Sequence, residues 1–196
     1  MYIVLIILLL IFFLCALLLL IYWTCCIYQG IYSDAPYVSS PTHSLAAIDT
    51  LLDLTDARNA IVYDIGCGDA KVLVYLAKKY PQHRFIGIEK FLLPYFIGLL
   101  RVKTSHVSNI TLIRQDFKNI SFSEATHIYL YLFPSILRSL EPLIIETTAA
   151  KKVVTVDFTF PNLSPTRVVQ LQETSPLGKK AYLYMVNPAT KKSYRS

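Results

Sequence analysis

Ile61-Val62-Tyr63-Asp64-Ile65-Gly66-Cys67-Gly68-Asp69-Ala70 is the stretch whose reading decides the fold. An apolar run leads into an acid, a turn with two glycines follows, and residues 71–79 continue with helical patterning. Strand, glycine turn, helix is the opening of a nucleotide-binding βαβ unit. Gly66 and Gly68 carry no Cβ, so the backbone there can turn sharply and come close to a ligand. The run 61–65 is broken only by Asp64, as suits a parallel strand covered on both faces.

A second apolar run, 84–89, ends in Glu89. That acid stands about 20 residues beyond Gly68, the separation at which a strand-end carboxylate accepts ribose hydroxyls. Two cofactor classes share this layout. A dinucleotide site wants a third glycine to bring the helix close, with its N-terminus facing a pyrophosphate. Here that position is Lys71, and Asp69 sets a negative charge beside the turn. S-adenosylmethionine has no phosphate and is cationic at its amino and sulfonium groups, which suits Asp64 and Asp69. The residues favour the sulfonium donor.

From about residue 60 to 186 the chain resembles the class I S-adenosylmethionine-dependent methyltransferases. Asp64-Ile65-Gly66-Cys67-Gly68-Asp69-Ala70 is similar to their first motif, with Ala70 where a glycine is frequent. Glu89 matches their ribose-binding acid, and Asp116-Phe117, after the apolar run 110–114, matches the position that contacts the adenine amino group. The resemblance implies a Rossmann-like α/β fold, a seven-stranded sheet with helices on both faces. It also implies S-adenosyl-L-methionine as cofactor, held by Asp64, Gly66, Cys67, Gly68, Asp69, Glu89, Lys90, Asp116 and Phe117.

The remaining elements fit that plan. Residues 45–54 place apolar side chains at helical spacing, with Thr42 or Ser44 as cap. Residues 91–100 form a very apolar helix with Pro94 in its first turn; packing on the sheet is the default, a surface resting on a bilayer or membrane substrate the alternative. Residues 126–134 run as a fourth strand into a loop, 135–147 as a helix and 152–158 as a fifth strand. Residues 167–171 and 181–186 pair as a hairpin around Pro176 and Gly178. Substrate enters at the carboxyl ends of such strands. Tyr131, Phe133 and Pro134 are therefore expected to shape the channel. Asp157 either attracts an incoming ammonium or packs. The Asn-Pro-Pro-Tyr sequence of nucleobase and glutamine methyltransferases is missing.

From Tyr2 to Trp23 no residue is charged. A helix of that length rises about 33 Å, enough for a bilayer core. Tyr22, Trp23 and Tyr28 would lie in an interfacial aromatic belt. No basic residue precedes the run and no small-residue cleavage site follows, so a retained anchor is expected over a signal peptide. The reading divides the chain into a transmembrane anchor (1–28), a linker (29–41), a methyltransferase domain (42–188) and a basic tail (189–196). Cys15, Cys25, Cys26 and Cys67 make neither a disulfide framework nor a metal spacing, and the four histidines are scattered singly, so no metal is expected. The net charge of +6 suits an anionic membrane surface; without a basic-aromatic recognition motif, nucleic acid is an unlikely partner.

The anchor, Pro36-Tyr37-Val38-Ser39-Ser40, the glycine motif and Phe158-Thr159-Phe160-Pro161-Asn162-Leu163-Ser164-Pro165 together resemble the small membrane-anchored lysine methyltransferases of the ATP synthase c subunit and the adenine nucleotide translocase. Cys67 and Ala70 depart from that group's usual Ser and Gly. The resemblance implies N-methylation of lysine in a membrane-associated protein, by a single-pass membrane protein. Its catalytic domain would lie in the cytoplasm or an equivalent donor-containing compartment. Methylation of a lipid or small hydrophobic molecule, and a non-catalytic membrane-tethered binding module, are the competing readings.

Overall fold

The computed structural model describes residues 2–32, 39–147, 152–171 and 177–187. The chain divides into two compact units, 1–36 and 37–196. The first is the single helix α1 (Tyr2–Tyr32), of which Tyr2–Thr24 has a mean hydropathy of 3.7 and is long and apolar enough to cross a membrane. The helix continues to Tyr32 and so takes in the start of the expected linker. Gly30 does not stop it, as a single helical glycine costs only about 1 kcal/mol. The expected tail and residues 33–38 lie outside the described residues.

The second unit is a seven-stranded sheet in the order β3-β2-β1-β4-β5-β7-β6. Strands β1 (Ile61–Ile65), β2 (Arg84–Glu89), β3 (Ile110–Arg114), β4 (His127–Leu130) and β5 (Lys152–Val156) run parallel. The closing hairpin, β6 (Arg167–Gln170) and β7 (Lys180–Met185), inserts β7 antiparallel beside β5. The strand order reverses between β1 and β4, and in such sheets the crevice at that switch point takes the ligand. Asp64 of β1 stands opposite Tyr129 of β4 there.

Side chains alternate across each strand and so build two cores. Val62, Tyr129, Val154 and Val156 share one with Leu45, Ile48 and Leu52 of α2 (Leu45–Leu52) and Leu73 and Leu76 of α3 (Lys71–Lys79). Ile65, Ile88, Ile128 and Val153 share the other with Leu137, Leu140 and Ile144 of α5 (Pro134–Thr147). Helices therefore cover both faces. Neither Thr42 nor Ser44 caps α2: a 3-10 turn spans Thr42–Ser44, and the Ser44 hydroxyl donates to the Pro41 carbonyl at 2.7 Å.

Helix α4 (Leu92–Ser105) departs from the expected packing. Only Pro94 and Gly98 of it are buried, while Leu92, Leu93, Phe96, Ile97, Leu99 and Leu100 are exposed. The reason is close approach. A Cβ on Gly98 would stand 3.0 Å from the Gly68 carbonyl oxygen, so small residues must face inward and the large ones are left outside.

Candidate active site

The glycine turn is fixed from below. The N–H groups of Gly66 and Cys67 both donate to the Ile88 carbonyl, at 2.8 and 3.0 Å, which joins the ends of β1 and β2. Gly66 has φ +77° and Gly68 φ +53°, the left-handed region that glycine enters without strain. Ala70, at φ +58°, carries a Cβ where the related motif has glycine, at a cost of about 1 kcal/mol. Cys67 directs its side chain into the core, since a Cβ on Gly87 would meet its Sγ at 2.8 Å. Burial, then repulsion from Asp64 and Glu89, pushes the Cys67 thiol up.

Above the turn lies a pocket lined by Asp64, the backbone from Gly66 to Asp69, Tyr129 and Tyr131, and closed by Ser39 and Ser40. The Ser40 hydroxyl and Tyr129 Oη are 2.9 Å apart, and Lys71 Nζ donates to the Ser40 carbonyl at 2.9 Å, so this wall is tied to both β4 and α3. Ser39 Oγ is buried and has no hydrogen-bond partner among the described residues. Asp64 is only 3% exposed, and among the described residues no hydrogen bond or ion pair reaches its carboxylate. Burial, then repulsion from Glu89 and Asp69, raises its pKa well above the carboxylate range. A buried acid without a partner is costly, and a cationic group brought beside it offsets that cost.

The other acids of the turn are partnered. Asp69 accepts from Arg101 Nη2 at 2.7 Å, and Arg101 Nε donates to the Asp69 carbonyl at 2.8 Å. Its charge, counted from sequence against a pyrophosphate, is offset by a residue of α4. Glu89 accepts the Gly68 N–H at 2.9 Å and the Phe91 N–H at 2.8 Å. Burial raises its pKa against those two bonds, and each carboxylate oxygen keeps a lone pair for a hydroxyl donor. Asp116 is paired with Lys90 at 3.0 Å and accepts the Lys118 N–H at 3.1 Å; against partial desolvation, these hold its carboxyl below the usual range. Phe117 begins a 3-10 turn beside it. Glu89, Lys90, Asp116 and Phe117 thus gather at the ends of β2 and β3, across the turn from the pocket and not in its lining.

Of the substrate-side residues, only Tyr131 lines the pocket. Phe133 stacks on Phe158 with centroids 5.4 Å apart, and Pro134 begins α5, where its missing N–H costs nothing. Asp157 does not point a free carboxylate at the pocket. It sits at φ +61° and accepts from Tyr131 Oη at 3.0 Å and from the N–H groups of Gly178, Lys179 and Lys180 at 2.6, 2.6 and 3.4 Å. Both of its carboxylate oxygens are thus engaged within the protein. Burial, with Asp157 beside it, raises the Tyr131 phenol above its ordinary pKa, so its proton stays on.

Sequence reasoning missed Ser39, Ser40, Tyr129, Gly98 and Arg101. Tyr129 was findable, because a residue at the end of β4 must face Asp64 once the strand order is known. Ser39 and Ser40 lay in a segment singled out for resemblance but given no role.

Comparison with known proteins bears on the family and the fold. Residues 64–167 match the family described as the ANTKMT methyltransferase domain. A protein-lysine N-methyltransferase of Saccharolobus islandicus is 24% identical over 154 residues, which is 77% of this chain and 93% of that protein. A tRNA (guanine-N(7)-)-methyltransferase of Mycoplasmopsis pulmonis is 34% identical over 70 residues, 35% of this chain and 34% of the relative. Among solved structures, an RNA methyltransferase from Salinibacter ruber in complex with S-adenosyl-L-homocysteine superposes with a TM-score of 0.69 at 25% identity, covering 77% of this chain and 95% of that one.

Proposed function

The chain belongs to the ANTKMT methyltransferase family and is a class I S-adenosylmethionine-dependent methyltransferase; on that premise, we propose that it methylates lysine side chains of a membrane-associated protein. The observation that carries the reading is the extent of its likeness to the archaeal lysine methyltransferase, which takes in 93% of that protein, set beside an N-terminal helix long enough to anchor the domain in a bilayer.

The residues present fit the cofactor. Asp64, buried and unpartnered, would face its cationic end, and the backbone from Gly66 to Gly68 would lie against its middle. Glu89 would take the ribose hydroxyls with its remaining lone pairs, and Asp116 and Phe117 would flank the base. Cys67 would take part only as a member of the turn, its N–H being held by the Ile88 carbonyl, and Asp69 would keep the turn in shape through Arg101, while Lys90 would hold Asp116 in place. Bound there, the donor supplies an electrophilic methyl group on a sulfonium sulfur.

The acceptor amine must arrive without its proton, because an ammonium has no lone pair. Tyr131 is not suited to remove it, since its phenol stays protonated and donates to Asp157. The chain's part is to position: Tyr131 and the Phe133–Phe158 stack wall the approach, and water takes the proton.

The test is mass spectrometry of membrane proteins from cells with and without this chain, together with radiolabelled donor added to membranes. The reading expects lysine residues heavier by one to three methyl groups only when the chain is present. Label that enters lipid or RNA, with no change at any lysine, would sink it.

A further inference from the structure

Helix α4 turns its apolar residues outward. Phe96 is 55% exposed and Leu100 64%, and Leu92, Leu93, Ile97 and Leu99 complete one continuous helical stripe. Among the described residues of the second unit none covers this stripe, and a monomer rarely leaves such a patch to water without a use for it. The helix contains no acid and carries Arg101 and Lys103. Beside it stand Lys90, Arg114 and Lys118, the last two exposed on or next to the edge strand β3 against which α4 packs. The acids nearest the stripe, Asp69 and Asp116, are already neutralised by Arg101 and Lys90.

An apolar stripe on an exposed helix, rimmed by cations, has the two-part chemistry of a lipid surface: acyl chains for the stripe and anionic headgroups for the rim. At 14 residues, α4 is about 21 Å long, too short to span a bilayer but long enough to lie in its interface. We propose that the outer face of α4 is a membrane-docking surface: Leu92, Leu93, Phe96 and Leu100 enter the acyl boundary of a bilayer while Lys103, Arg114 and Lys118 meet anionic headgroups. The surface is distinct from α1 and sets how the domain lies on lipid. The inward side of the same helix rests on the glycine turn through Gly98 and Arg101, so docking places the donor site at a fixed height above the headgroups.

The test uses three single-tryptophan forms of the full chain: the native protein with Trp23, and Phe96→Trp or Val168→Trp in a Trp23→Phe background. Val168 is exposed on β6, the strand at the opposite end of the sheet. Each is reconstituted in phosphatidylcholine–phosphatidylglycerol vesicles with brominated or plain acyl chains. The proposal expects bromine to quench the Phe96→Trp emission by more than about twofold and to leave Val168→Trp unchanged. Quenching at Trp23 but not at position 96 overturns the docking surface while sparing the anchor; quenching at 96 but not at Trp23 does the reverse. Equal quenching at 96 and 168, or blue-shifted emission at 96 that bromine does not touch, also overturns it, the last by showing that protein covers the stripe.

Discussion

Asp64 and Asp157 both stand at the carboxyl ends of parallel strands, β1 and β5, and their surroundings are opposite. Among the described residues Asp64 has no hydrogen-bond partner and is buried, whereas the Asp157 carboxylate accepts from one phenol and three backbone N–H groups. A carboxylate that the protein satisfies holds the protein together; one that it buries and leaves unsatisfied is held for something else. The same sheet edge thus contains a half-buried acid that the protein satisfies and a buried one that the described residues leave unsatisfied.

The largest expected effect is on the structural side. Asp157→Ala strands the Gly178 and Lys179 N–H groups and the Tyr131 hydroxyl, and should lower stability by about 3 kcal/mol in urea unfolding. A fall in donor affinity larger than the fall in stability would instead make Asp157 a ligand-facing group. Next comes Asp64→Asn, for which calorimetry should give donor binding weakened by about 30- to 100-fold, or 2–3 kcal/mol. The thermal midpoint of the free protein should hold or rise, because a buried unpaired charge has been removed. A lower midpoint with unchanged affinity would erase the contrast between the two acids.

Gly98→Ala probes the floor that α4 gives the turn. Its methyl group would press on the Gly68 carbonyl at 3.0 Å, and a backbone oxygen gives way only by moving the turn. Stability should fall by about 1–2 kcal/mol and donor binding by a few-fold, read in the same two assays. The smallest effect is on pH dependence. The Asp64 pKa is raised on folding, so its contribution to stability is fully present below the unfolded value near 3.8 and is lost as pH rises through the folded value. The stability gap between Asp64→Asn and the wild type should therefore widen with pH. Taking that difference removes the opposing contribution of buried His127, whose pKa is lowered to about 4 by desolvation and by Lys152 and His83, and which destabilises on acidification. Donor affinity should move the other way and rise with pH, since a cation favours the ionised acid.

How much of this was legible follows from what each residue's role depends on. The strand–turn–helix unit, Glu89 and Asp116 are local: glycines for positive φ and acids at strand ends appear as spacing along the chain. Helix α4 was legible as a helix but not in orientation. Its outward face is decided by Gly98 meeting Gly68 some 30 residues earlier, a contact with no trace in hydrophobic periodicity. The Asp69–Arg101 pair was hidden for the same reason, and it removed the charge on which one step of the cofactor argument had leaned. Asp157 could not be assigned from sequence, because three of its four partners are backbone N–H groups of the β7 approach, which leave no signature in residue type.

The double attachment of the glycine turn to the Ile88 carbonyl has a consequence for turnover. A turn already stapled to its neighbouring strand has little conformational freedom left to surrender, so capture of the donor carries a small ordering cost. The same rigidity cannot distinguish fresh donor from the demethylated product, whose nucleoside portion is identical. In the proposed placement, discrimination between the two, and with it relief from product inhibition, falls to the charged end of the ligand, where loss of the sulfonium would leave Asp64 facing an uncharged thioether.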